Sequence, residues 1–69
     1  MKIDYDTLYA VVRYQDDDIV IYDWGCNIGF GELVINAQNG NIIDDENMGK
    51  EFALKVIEKA KEMKWWVKN

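Results

Sequence analysis

Asn39-Gly40-Asn41-Ile42-Ile43-Asp44-Asp45-Glu46-Asn47-Met48 is the stretch in which the apolar residues of this chain change their spacing, near Asp44. Upstream they alternate or run in short β-branched blocks, as strands do. Downstream they recur every three or four residues, as in a helix. Asn39-Gly40 favours positive φ and predicts a type I′ hairpin turn leading into a short strand over residues 41–44. Asp44 or Asp45 is then placed to cap the first free N–H groups of the helix, with Glu46 against the positive end of its dipole.

Working downstream, Met48, Phe52, Val56, Ala60, Met63 and Val67 step by four or three residues, and Ala53 and Ile57 widen the same stripe into one apolar face. Glu51 and Lys55 form a favourable i,i+4 pair. Lys59, Lys61, Lys64 and Lys68 fall toward the end where the dipole favours cations. Leu54 and Trp65 lie on the polar side of the wheel, so that Trp65 either packs against a neighbouring molecule or lies past the end of the helix.

Working upstream, residues 8–14 (Leu-Tyr-Ala-Val-Val-Arg-Tyr) are rich in β-branched and aromatic side chains and predict a strand. The alternation of Ile3, Tyr5, Thr7, Tyr9 and Val11 allows that strand to reach back to Ile3. A first helix over residues 6–14 is the rival, and the β-branched content argues against it. Residues 15–17 break the pattern. Residues 18–24 make a second strand, Gly25-Cys26-Asn27 a turn, and residues 28–37 a third strand in which Gly29 and Gly31 flank Phe30. The expected fold is α+β, over a single small domain of residues 1–69. An antiparallel meander of three to four strands is followed by one C-terminal helix packed on one face.

Composition narrows the chemistry. The chain has 69 residues, 49% of them hydrophobic and 13% aromatic, too apolar for a disordered protein. It contains no His, Ser or Pro, and Cys26 is its lone thiol. A Ser-His-Asp triad is impossible, Cys26 lacks the usual base, and the common structural zinc sites cannot form. Asp16-Asp17-Asp18 lacks the alternating ligands, the glycine and the distal glutamate of a calcium loop, and reads as a turn. No Gly-x-Gly-x-x-Gly precedes a helix. No apolar run reaches membrane-span or signal-peptide length. The expectation is a cytoplasmic, non-enzymatic protein without metal or cofactor. Its abundance of Ile, Lys, Asn, Tyr and Phe suits AT-rich coding, as in a low-GC bacterium or a phage or mobile element living in one.

Two features point to partners. Each strand is apolar on both sides, and one helix, about 10 Å wide, can cover one of them. The other would present Tyr9, Val11, Arg13, Tyr22 and Trp24, residue types that anchor interfaces. Charge is also segregated. Residues 1–45 carry nine acids against Lys2 and Arg13, whereas residues 46–69 carry six lysines against four glutamates, within a net charge of −5. Such a balance repels nucleic-acid phosphates and attracts basic surfaces. The expected function is a small acidic interaction module, an inhibitor that engages a basic protein through this face, Asp16, Asp17, Asp18 and Trp65. The alternative is a homodimer with a structural or regulatory role, closed through the uncovered sheet face.

Overall fold

The computed structural model describes residues 2–63. A 3-10 turn at Tyr5–Thr7 leads into four strands, β1 (Tyr9–Gln15), β2 (Ile19–Cys26), β3 (Gly29–Asn36) and β4 (Ile42–Asp44), followed by helix α1 (Lys50–Met63). The strands form one antiparallel sheet in the order β1-β2-β3-β4, and α1 packs on one face of it. This is the α+β meander with a C-terminal helix that the change of period predicts.

The helix buries the expected stripe: Phe52, Ala53, Val56 and Ala60. They meet Ala10 from β1, Val20, Tyr22 and Trp24 from β2, and Leu33 and Ile35 from β3, with Leu8 closing the rim. Ala10 and Ala53 are wholly inaccessible, and such small side chains let helix and sheet approach closely. The Trp24 and Phe52 rings meet edge to face, centroids 4.7 Å apart and planes at 75°.

The sheet face under the helix corrects one expectation. Tyr22 and Trp24, read as outward anchors, are 7% and 5% exposed and belong to the core. Period-2 alternation puts Tyr22 and Trp24 with Val20, and opposite Ile19 and Ile21, but does not say which set the helix selects. The helix takes the set with the larger rings, whose burial removes more apolar surface from water.

Local departures have local causes. The first strand does not reach back to Ile3. The Asp4 carboxylate accepts the Asp6 N–H at 3.0 Å, and the Asp4 carbonyl accepts the Thr7 N–H, winding residues 5–7 into a turn. The β2–β3 turn falls at Asn27-Ile28, beyond Gly25 and Cys26, which remain paired with Phe30 and Gly29. Asn27 is anchored there: its Oδ1 accepts the Asp4 N–H at 2.8 Å, and its own N–H is donated to Thr7 Oγ1 at 2.9 Å. Gly25 is spared for a different purpose. The Tyr9 ring lies across it so closely that a Cβ there would come within 2.6 Å of the Tyr9 Cζ.

The turn at Asn39-Gly40 is wider than type I′. Asn36 donates its N–H to the Asn41 carbonyl at 2.8 Å, enclosing residues 37–40, and Gly40 alone of that loop has positive φ. Asn36 Oδ1 accepts the N–H groups of Gln38 and Asn39, which takes over the role of a tighter turn.

The helix starts later than Asp44 or Asp45. Glu46, Asn47 and Gly49 have φ of 56°, 64° and 99°, incompatible with a helix. Asp44 and Asp45 instead hold this loop. Asp44 Oδ1 accepts the Glu46 N–H at 2.9 Å, and the Asp45 carboxylate accepts those of Asn47 and Gly49. The Gly49 carbonyl accepts the Ala53 N–H at 3.0 Å and opens α1. Trp65, on the polar side of the predicted wheel, lies outside the described residues.

Candidate functional site

The face of the sheet opposite α1 is organised in rows by the strand register. Cross-strand partners point to the same side. One row is Tyr9, Gly25 and Phe30, the next Val11, Asp23 and Glu32, and a third Tyr14, Ile21, Val34 and Asp44. Ile19 and Asn36 complete the face. A bulge makes this arrangement. The β1–β2 register slips between Val12 and Tyr14, so Tyr14 sits opposite Ile21 instead of joining Ala10 and Val12 on the helix side. Tyr9, Tyr14 and Phe30 are 49%, 46% and 85% exposed.

Arg13, the extra residue of the bulge, extends across three strands. Its Nε donates to Asp23 Oδ1 at 2.8 Å, and its Nη2 donates to Glu32 Oε2. The hydrogen bond to Asp23 raises the Arg13 pKa above its ordinary value; partial desolvation opposes it, and the charges of Asp23 and Glu32 add smaller upward effects. All three side chains are about half exposed, so the cluster orients charge more than it adds stability. Glu46 reaches the same region from the β4–α1 loop, its Oε1 accepting the Glu32 N–H at 3.0 Å. Together with Tyr9 and Phe30, these charged groups line an open groove of about 730 Å³.

The acidic run lies at the adjoining β1–β2 turn, and its three members are not equivalent. Asp16 is committed to the fold. One oxygen accepts the N–H groups of Asp18 and Ile19, both at 2.8 Å, and the other accepts the Tyr14 hydroxyl at 2.6 Å. The Tyr14 hydrogen bond and these backbone donors hold the Asp16 carboxyl below its usual range, and the same contact pushes the Tyr14 phenol up. Asp17 and Asp18 are exposed beside it.

A pH dependence follows from Asp16. A carboxyl with a depressed folded-state pKa adds stability above its unfolded pKa and loses it as pH falls through the folded value. Asp16→Asn keeps an oxygen for the turn and removes the titration. Wild type is expected to exceed Asp16→Asn in urea midpoint at about pH 7, and the gap should close at about pH 2. An equal gap at both pH values would show that the ionised carboxylate is not what matters.

Of the residues singled out from the sequence, Tyr9, Val11 and Arg13 share the open face, with Asp16, Asp17 and Asp18 at its edge. Tyr22 and Trp24 lie beneath the opposite side. The face also contains Tyr14, Asp23, Phe30, Glu32 and Val34, which sequence reasoning did not assign to it as a site. The signal for Asp23, Phe30, Glu32 and Val34 was present: by alternation they share parity with Ile21 or pair across from it. Tyr14 carries no such signal, because nothing in Val12-Arg13-Tyr14 announces a bulge.

Cys26 is partly buried against the core. Among the described residues no group of three or more His, Cys, Asp or Glu side chains is placed to hold a metal ion, and no helix is long and apolar enough to cross a membrane. Comparison of the chain with protein-family models, curated proteins and solved structures found no match.

Proposed function

We propose that this chain is a small acidic, non-enzymatic interaction module that covers a basic surface of another protein and thereby inhibits it. The observation that carries this reading is the open sheet face. Half-exposed tyrosines and Phe30 surround a cluster with one cation and two carboxylates, and Asp17 and Asp18 stand beside it. Aromatic groups supply contact area at low entropic cost, and the excess of carboxylates selects for lysine and arginine across the interface. A partner that itself binds nucleic acid fits this chemistry, because its phosphate-binding surface is basic. Inhibitors of this kind suit a phage or mobile element acting in the cytoplasm of its host.

Charge separates this reading from the homodimer. Two copies joined face to face would bring Asp17, Asp18, Asp23 and Glu32 of each near those of the other, with one arginine per copy to offset them, on chains already at −5. Like charges juxtaposed across an interface oppose association. Sedimentation equilibrium is expected to give the monomer mass of 8.1 kDa at low and high salt. Titration with polylysine at low salt is expected to shift the amide resonances of Arg13, Asp17, Asp18 and Glu32, and to leave the exposed side of α1 unmoved. A salt-resistant dimer, or shifts confined to the helix, would overturn the reading.

A further inference from the structure

β4 pairs with β3 through Val34 and Ile35, whereas β3 starts at Gly29. Residues 29–32 therefore have β2 on one side and no strand on the other among the described residues. Alternate residues of an antiparallel strand direct their N–H and C=O groups to the same neighbour. The Glu32 N–H points away from β2, since Glu46 Oε1 accepts it at 3.0 Å. Two residues earlier, the N–H and C=O of Phe30 therefore face that same outer edge, next to a ring that is 85% exposed.

Glu46 shows what this edge accepts. Its backbone is left-handed, with φ of 56°, and its N–H is held by Asp44 Oδ1. Its carboxylate stands where the carbonyl of a neighbouring strand would be. Gly31 leaves the room for this, because a Cβ there would meet both the Glu46 carboxylate and the Trp24 indole. An exposed edge invites another strand, and proteins commonly blunt it with a charge or a bulge. β1, the opposite edge, has the bulge at Arg13. Among the described residues, the outer edge of β3 at Glu32 is blunted by the Glu46 carboxylate, which sits on a surface loop and is removable.

We propose that residues 29–32 receive an extended, lysine- or arginine-rich segment of the partner protein as a fifth strand. The incoming carbonyl takes the Glu32 N–H from Glu46, and the freed Glu46 carboxylate turns to the incoming cation. This rests on the reading of a basic partner given above and adds the manner of its recognition. Main-chain hydrogen bonds supply affinity in such strand addition, and side-chain sites supply specificity. Here those sites are Glu32 and Glu46 for charge and the rings of Tyr9 and Phe30 for cation–π contact. A second copy is a poor occupant, because edge-to-edge pairing would oppose Glu32 and Glu46 to their own counterparts.

The test uses the full chain, isotopically labelled, and three synthetic peptides: alternating lysine and threonine, the same peptide with every backbone nitrogen methylated, and alternating glutamate and threonine. The lysine peptide is expected to slow exchange of the Phe30 amide about tenfold at a concentration ten times its dissociation constant. The methylated and acidic peptides should leave that amide unprotected. Glu46→Gln keeps an acceptor for the Glu32 N–H and removes the charge, and should weaken the lysine peptide by about threefold. If the methylated peptide binds as well as its parent, or the parent shifts only Asp17 and Asp18, strand addition falls and the basic-partner reading stands. If no lysine peptide binds, both fall. Concentration-dependent protection of Phe30 without peptide would assign the edge to a second copy and overturn the proposal.

Discussion

Trp24→Ala is expected to remove about half of the chain's stability, and so to lower its urea midpoint at 25 °C by about half. Trp24 is 5% exposed, and its indole meets the Phe52 ring edge to face at 4.7 Å, joining the centre of the sheet to the first turn of α1. Truncating a buried tryptophan to alanine costs about 3–5 kcal/mol, from lost transfer energy and the cavity left behind. A domain of 69 residues has about 3–10 kcal/mol of total stability. The substitution therefore removes a large part of the whole. Neighbours cannot easily fill the gap, because the core around it already holds Ala10, Ala53 and Val56 with no accessible surface, leaving helix and sheet little room to close further. Tyr9→Ala provides the contrast. Tyr9 is 49% exposed and packs on Gly25 across the open face, so that variant should stay folded. Urea unfolding followed by circular dichroism checks both. A Trp24→Ala chain with a cooperative transition near that of wild type would show that the helix is not held as described. The contrast also governs how binding data are read: weakened binding in Trp24→Ala reports a destabilised core, and lost binding in folded Tyr9→Ala reports an interface.

Trp24 also shows where the sequence was legible and where it was not. The helix could be read from Phe52, Val56 and Ala60, because a stripe at helical spacing has one way to be buried. The strands could be read from their β-branched content. The assignment of faces could not, because Val20, Tyr22 and Trp24 on one side of β2 and Ile19 and Ile21 on the other are both apolar sets. Charges would have broken the tie. Arg13, Asp23 and Glu32 all belong to the Ile21 side, but bringing them together requires the register, and the register depends on where the β2–β3 turn falls. Gly25 is the natural turn residue by propensity. It was needed instead to admit the Tyr9 ring, and the turn passed to Asn27, which Asp4 and Thr7 hold in place. The same competition moved the start of the helix. Asp44 and Asp45 are good caps by type, yet they satisfy the N–H groups of a left-handed loop, and that loop carries Glu46 to the edge of β3. The residues that depart most from local propensity are thus the ones that build the candidate site.

Reversing Asp17 and Asp18 to lysine together should slow association with immobilised polylysine by at least about tenfold relative to an equally charged control, at low salt. Asp16 stays in place, because its carboxylate holds the turn and its loss would confound charge with folding. The control reverses Glu51 and Glu58, which are exposed on α1. Both double variants take the formal net charge from −5 to −1. Total charge alone would slow both equally, so any excess in the first locates the encounter surface. The effect belongs in the association rate, since steering acts before contact, and it should shrink as salt rises. The screening length is about 10 Å at 0.1 M and falls to a few ångströms near 1 M. Dissociation should change less, because Asp17 and Asp18 lie at the edge of the face and its aromatic groups are untouched. Equal rates for the two variants would remove the β1–β2 turn from the encounter surface. A slower helix variant would reverse the assignment, putting the acidic recognition on α1 and leaving the open sheet face without a role in steering.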